Sequence, residues 1–236
     1  MSDKQPLLLL PGLLCDDALW RHQIETLDDL ADMTVADLTQ DDTIAGMAER
    51  VLTAAPQRFA LAGLSMGGYL AQEIMRQAPE RVSKLALLDT SFYADTPEQL
   101  KRRRGLIELS QKGAFKGVTS RLLPLLIHES RLDDETLTET VFAMAESVGK
   151  DAYPRQQHAI MTRPDGRGDL ANISCPTLVL CGRQDALTPL SVHEEMVAAI
   201  PKATLVVVED CGHLAPLERP HAVSAVMRYW LQRENN

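Results

Sequence analysis

The sequence predicts an α/β fold: a mostly parallel sheet of approximately six strands, helices on both faces, and a helical cap inserted before the last two strands. Three observations carry this reading. Short apolar, β-branched runs alternate with helix-forming stretches along most of the 236 residues. One run, Phe59 to Gly63, passes directly into GLSMGG (Gly63 to Gly68) and then into helix-forming sequence from Met66 to Ala78. Between Phe92 and Leu170 the alternation stops and charged helical sequence replaces it.

The strands are expected at Leu7 to Leu10, Met33 to Ala36, Phe59 to Gly63, Lys84 to Leu88, Thr177 to Cys181 and Thr204 to Val208. The last two read as fully buried, and alternation of this kind argues for a parallel sheet covered on both faces. Pro201 and Pro220 mark helix edges. Residues 1–91 and 171–236 are assigned to the core and 92–170 to the cap.

The GLSMGG segment sets Ser65 between Gly63 and Gly67 at the junction of strand and helix. The apex of such a turn is strained and tolerates only small neighbours, while the helix end offers positive charge to a developing anion. A glycine-rich turn without chemistry would carry the same short pattern, so the rest of the chain has to supply partners. A serine hydroxyl needs a base to take its proton, and that base needs a carboxylate to orient it. Of the six histidines, His213 stands just past the run Thr204 to Val208, at the edge of a parallel sheet where sites assemble. Asp185, a few residues beyond Thr177 to Cys181, is the expected acid, and the order Ser65, Asp185, His213 suits this turn. Asp89 and Asp210 are the rivals: Asp89 ends the strand Lys84 to Leu88, and Asp210 suits a turn of its own. Acyl transfer also needs two oxyanion donors, for which the backbone N–H groups of Met66 and of Leu13, after the Pro11-Gly12 break, are the candidates.

With these segments in place, the chain resembles the α/β-hydrolase superfamily from about Pro6 to the C-terminal helix. The segments LPGLL, GLSMGG, PERVSKLALLD, PTLVLCGRQDALTP and CGHLAPLERP carry the resemblance in that order. It is similar to the small bacterial serine esterases and enol-lactonases, of the 3-oxoadipate enol-lactonase and pimeloyl-ester esterase types, and to C–C bond hydrolases. The resemblance implies catalytic roles for Ser65, Asp185 and His213, oxyanion roles for Leu13 and Met66, an ester or lactone substrate, and neither cofactor nor metal. Two departures stand out. Pro11-Gly12 replaces the His-Gly common in relatives, and LTQDDT replaces their longer glycine-rich loop, so the rim there is expected to be shorter and more open. A C–C hydrolase, a perhydrolase or a ligand-binding protein without turnover are the alternatives within the same fold.

Within the insertion, Leu122, Leu125, Leu126, Phe142 and Met144 are candidates to line a pocket, or simply to pack the cap. Arg102, Arg103 and Arg104 could attract a carboxylate-bearing substrate or form a solvated face; His128 and His158 are further possible contacts.

Composition bounds the rest. A net charge of −9 argues against nucleic acid and anionic membrane as partners, and no stretch is long and apolar enough to span a bilayer. The N-terminal apolar run ends in a Pro-Gly turn, which reads as the first strand rather than a signal peptide, and the extra N-terminal hairpin of larger relatives is expected to be absent. The four cysteines, Cys15, Cys175, Cys181 and Cys211, lack metal or redox spacing, so free buried thiols in the cytoplasm are expected, with Cys15 and Cys211 near the site. Oligomeric state is not encoded in any motif.

Overall fold

In the computed structural model, which describes residues 4–114 and 117–233, six parallel strands form one sheet in the order β2-β1-β3-β4-β5-β6. They are β1 (Gln5–Leu10), β2 (Ala31–Val35), β3 (Phe59–Leu64), β4 (Val82–Leu88), β5 (Thr177–Gly182) and β6 (Ala203–Val208). The register pairs Leu10 with Gly63, Leu64 with Leu88, Leu88 with Leu180 and Gly182 with Val208. The C-terminal ends are therefore level, and the loops that follow five strands meet along one edge. The chain runs outward from β1 to β2 and then returns to β3, so the order reverses between β1 and β3. That reversal opens a crevice at the edge, the usual place for a ligand in such sheets.

The helices in chain order are α1 (Arg21–Leu27), α2 (Ile44–Ala54), α3 (Met66–Gln77), α4 (Pro97–Leu109), α5 (Leu123–Leu126), α6 (Glu135–Met161), α7 (Leu190–Ala199), α8 (Ala215–Glu218) and α9 (Pro220–Gln232). Strand alternation divides the core into two layers. Leu7, Leu9, Ala60, Ala62 and Leu180 face α1 and α9, where they meet Leu27, Val223, Met227 and Trp230. Leu8, Leu10, Leu61, Leu85 and Val179 face α2, α3 and α7, where they meet Met47, Leu70, Ile74 and Met196. Lys84 is the exception inside a buried strand: its Nζ reaches the carbonyls of Trp230, Leu231 and Arg233 and so caps the negative end of α9.

Strand positions agree with the sequence reading to within two residues, but β6 is not fully buried. Thr204 is exposed and Leu205 to Val207 are half-buried, because β6 is an edge strand with a single neighbour. Its apolar, β-branched composition does not distinguish an edge from a centre.

Residues 92–170 contain no strand among the described residues. α4 begins at a capping box in which Thr96 and Gln99 bond each other's backbone N–H, followed by Pro97. α6 is interrupted at Gly149, whose φ of 77° and ψ of 174° lie outside the helix and suit glycine. On one side of the break Leu137, Val141 and Met144 join the α1/α9 layer, and on the other Ala159 and Ile160 join the opposite layer. The insertion thus sits astride the edge where the loops converge. No described helix is long and apolar enough to cross a membrane.

Candidate active site

Ser65 is the residue on which the edge is built. It links β3 to α3 with φ 53° and ψ −112°, a conformation that costs a non-glycine residue free energy and has to be imposed by its surroundings. A Cβ on Gly63 would lie 2.2 Å from the Gly67 carbonyl oxygen, and one on Gly67 would lie 2.1 Å from that of Leu10. Both glycines are therefore required by backbone contact, as the motif implied. The Ser65 N–H donates to the Leu88 carbonyl at 3.1 Å, and its own carbonyl accepts from the Thr90 hydroxyl at 2.7 Å. The Thr90 N–H in turn donates to Nε2 of His193 at 3.0 Å, while His193 Nδ1 faces the Pro189 carbonyl. Burial lowers the His193 pKa, which favours the neutral ring this pattern requires.

Ser65, His213 and Asp185 form a continuous hydrogen-bonded chain. Ser65 Oγ lies 2.9 Å from His213 Nε2, and His213 Nδ1 lies 2.8 Å from Asp185 Oδ2. His213 is 3% exposed and Asp185 5%, whereas Ser65 is half-buried and opens to a cavity. Asp185 also accepts from the Leu187 and Thr188 N–H groups at 2.8 and 3.0 Å and from the Thr188 hydroxyl at 2.6 Å. Burial opposes its charge, but the His213 imidazole and these donors outweigh burial and hold the carboxyl below the ordinary range.

The rival acids are placed otherwise. Asp89 is fully buried, with φ 43°, and accepts from the Gly182 N–H at 2.8 Å and the Ala215 N–H at 3.3 Å. It ties the last residue of β5 to the start of α8. Burial, reinforced by the charge of Asp185, raises its pKa well above the carboxylate range. Asp210 is exposed in its own turn, where its carbonyl accepts from Arg219. Asp89, Asp185 and the Cys181 thiol lie within 4.8 Å of one another, but the carboxylate oxygens are already committed to the donors just named.

Around Leu13, the Leu14 N–H donates to Gln156 Oε1 at 3.1 Å and the Cys15 N–H to the Gly12 carbonyl at 3.1 Å. The Leu13 N–H, between Gly12 and Leu14, takes no partner among the described residues. Met66 opens α3, where the helical ladder begins with the Tyr69 N–H on the Ser65 carbonyl, so the Met66 N–H belongs to the unpaired group of a helix start.

Sequence reading missed Glu218. This buried carboxylate on α8 accepts from Gly212 N–H at 2.9 Å, from Leu214 N–H at 3.2 Å and, through its other oxygen, from His128 N–H at 2.7 Å. The N–H groups of His213 and Leu214 donate to the Leu126 carbonyl at 3.0 and 3.1 Å. The His213 loop is thereby fastened to the end of α5. Burial raises the Glu218 pKa despite these donors. The only cue in the sequence was its place in CGHLAPLERP.

A cavity of about 630 Å³ opens over Ser65 and His213, a size suited to a small organic ligand. Leu122, Leu125, Leu126 and Met144 line it, as do Arg102 and Arg103. Phe142 does not line it but packs, half-buried, against the α1/α9 layer. Arg104 lies outside it and is exposed. His128 faces Ser130, and half-exposed His158 meets the Asp42 carbonyl; neither reaches the cavity. Arg163, unremarked in the sequence, stacks on Tyr69 at 4.1 Å and shares the Asp95 carboxylate with Arg103, at 2.8 and 2.6 Å. Arg167 is paired with Asp165 at 2.8 Å, which leaves Arg102 as the lining arginine without an ion pair among the described residues.

The rim after β2 is not open. Gln156, Arg155 and His158 of α6 bond the carbonyls of Leu38, Thr39 and Asp42, so the helix occupies the space that the short loop leaves. The cysteines are free thiols; Cys15, Cys181 and Cys211 are buried and Cys175 half-buried. Burial pushes the Cys15 thiol up to about 12, and Cys211 is pushed up too, so both are poor thiolates despite lying near the site.

Similar proteins share this arrangement of elements. The esterase of Thermogutta terrifontis, solved with malate bound, is 31% identical, superposes with a TM-score of 0.87, and is matched over 97% of this chain and 89% of its own. The enol-lactonase of Burkholderia xenovorans LB400 is 21% identical with a TM-score of 0.89, over 98% and 93% of the two chains, a likeness of fold. The pimeloyl-[acyl-carrier protein] methyl ester esterase of Nitrosomonas europaea is 27% identical over 233 residues, 91% of this chain and 90% of the relative. A model of the Alpha/beta hydrolase family matches residues 8–226, and the chain belongs to that family.

Proposed function

We propose that the protein is a serine hydrolase that cleaves a carboxylic ester or lactone of a small molecule through an acyl-enzyme on Ser65. The observation that carries the reading is the unbroken hydrogen-bonded chain from the Ser65 hydroxyl through His213 to Asp185, at 2.9 and 2.8 Å. His213 Nε2 takes the hydroxyl proton as Ser65 Oγ attacks the carbonyl carbon, and Asp185 holds the imidazole in the tautomer with the Nδ1 proton and balances its charge. The tetrahedral oxyanion is held by the N–H groups of Leu13 and Met66, which need no reorganisation. On collapse, His213 returns the proton to the leaving alcohol. Water then attacks the acyl-enzyme with the same base, releasing the acid and restoring Ser65.

Residues 92–170 act in this reading as a cap that excludes water and shapes the acyl and alcohol pockets. The lining supports a substrate with an apolar body, set against Leu122, Leu125 and Met144. Arg102 favours substrates that also carry an acidic group, a preference in keeping with the malate-bound state of the Thermogutta terrifontis esterase.

The test is hydrolysis of nitrophenyl esters of increasing acyl length, with and without a terminal carboxylate, by the natural protein and by Ser65→Ala. The substitution is expected to lower kcat by roughly a thousandfold or more. An undiminished rate in Ser65→Ala, or failure of a fluorophosphonate to label Ser65, overturns the mechanism.

A further inference from the structure

On the α1/α9 face, away from the cavity, two histidines from different helices meet. His22 of α1 and His221 of α9 place Nε2 and Nδ1 only 3.2 Å apart, with ring centroids at 4.6 Å and planes at 87°. Neither ring lines the cavity, and the proposed chemistry uses neither. The geometry points to a chelating site for a borderline divalent transition metal, of the Ni²⁺, Cu²⁺ or Zn²⁺ class, that bridges α1 and α9.

The separation is the first argument. Metal–imidazole bonds of about 2.0–2.1 Å set two ligand nitrogens roughly 2.9–3.4 Å apart, from the 90° angle of Ni²⁺ and Cu²⁺ to the tetrahedral angle of Zn²⁺. The 3.2 Å separation falls within that range, so ring rotation rather than helix movement brings the two lone pairs onto one ion. The second is the far side of His22. Its Nδ1 lies 2.8 Å from Ser224 Oγ, which also accepts from Gln23 Nε2 at 3.2 Å. An Nδ1 proton on Ser224 fixes the ring, the supporting arrangement that ligating histidines commonly have. The Nε2 lone pair then accepts from His221 Nδ1–H, and a metal replaces that hydrogen bond once the His221 proton moves to its own Nε2. Gln23 further bonds the Pro216 and Pro220 carbonyls, so the anchor belongs to the buried α1/α9 seam.

No third His, Cys or carboxylate converges on the pair among the described residues. Solvent therefore fills the other positions, and the positive first turn of α9 opposes a dication, so the site is a weak, exchangeable chelate. Ni²⁺ is the ion to try first, because it binds imidazole more tightly than Zn²⁺ without the redox chemistry of Cu²⁺.

The test is calorimetric titration of untagged full-chain protein with Ni²⁺ at neutral pH, alongside His221→Gln and His22→Gln. One-to-one uptake is expected in the natural protein, at least tenfold weaker in each variant, with a Ni²⁺-dependent rise in Tm that both variants lose. His221→Gln leaves the Ser224 and Gln23 contacts intact and so guards against a packing artefact. Absence of uptake, or uptake undiminished in His221→Gln, overturns the site.

Discussion

The edge of the sheet and the helices inserted above it are fixed by different forces. At the edge, position is set by backbone: Gly63 and Gly67 have no room for a Cβ, and Asp185 and Glu218 each accept several N–H groups in near-complete burial. In the insertion, α4 buries no side chain and is tied down through Arg103, to Asp95 and to Gln157. Hydrogen bonds to buried charges are worth about 1.5–3 kcal/mol each. For α4 that class is confined to the Asp95 carboxylate, 1% exposed and shared by Arg103 and Arg163, while the other charged side chains of α4 stay exposed. Residues that would carry the chemistry are locked, whereas on α4 only Arg103 is held by a buried partner and an exposed lining residue such as Arg102 can change at small cost.

The sharpest way to break that contrast is to compare the two buried acids at the edge. Asp185→Asn should lower kcat by about 10⁴-fold, because an amide there no longer holds the His213 proton on Nδ1. Asp89→Asn, which removes a carboxylate facing Gly182 and Ala215 rather than the imidazole, should cost less than about tenfold. Equal losses in the two variants would show that Asp89 shares the work of the acid and that geometry misassigned the roles.

Next in size is Gly67→Ala. A methyl group 2.1 Å from the Leu10 carbonyl forces β1 and α3 apart at the crevice, and a loss above about 4 kcal/mol in urea unfolding is expected. A loss below about 1 kcal/mol would mean that the elbow yields, and with it the claim that backbone fixes Ser65.

Glu218→Gln is smaller and depends on pH. Gln keeps one acceptor oxygen for the N–H groups of Gly212, Leu214 and His128, so about 1–3 kcal/mol is lost. Because burial raises the Glu218 pKa, the folded state binds its proton more tightly than the unfolded chain. The stability from that proton is complete below the ordinary glutamate range of about 4.3 and is lost as pH rises through the folded value. The advantage of the natural protein over Glu218→Gln should therefore narrow as pH climbs from acid towards neutrality. Asp185, with its lowered pKa, acts in the opposite sense: its contribution is present above about 3.9 and is lost as pH falls through the folded value. Tm measured from about pH 2 to 8 separates the two slopes, with Asp185 acting below about pH 3.9 and Glu218 above about pH 4.3, and a widening gap over the upper range would reverse the assignment for Glu218.

The same contrast explains what the sequence revealed. Ser65, His213 and Asp185 were legible because strand ends, glycines and chain order are local signals, and local signals decide where a parallel sheet ends. Edge exposure of β6 was not, since burial on the far side depends on whether another strand arrives. Glu218 and Asp95 were invisible for a related reason: Glu218 joins Gly212 and Leu214 of the loop before it to His128, 90 residues away, Asp95 pairs with Arg103, 8 residues on, and no spacing rule marks either carboxylate. Phe142 and Met144 both pack on the α1/α9 layer, yet of the two only Met144 reaches the cavity, a distinction that apolar composition cannot make.

The smallest effect tests the other half of the contrast. Gly105 lies inside α4, and a Cβ there would meet no atom within 4 Å. Glycine in a helix interior gives up stability because the unfolded chain has more freedom to lose, so Gly105→Ala should stabilise by about 0.5–1 kcal/mol. If α4 is only a wall, short esters will turn over unchanged while Tm rises slightly. If its residual freedom admits substrate, stiffening it will lower kcat/KM for the bulkiest esters first and leave the fluorophosphonate labelling rate of Ser65 alone. A fall in labelling as well would mean that α4 helps to hold the elbow, and the division between a locked edge and an adjustable wall would fail at that helix.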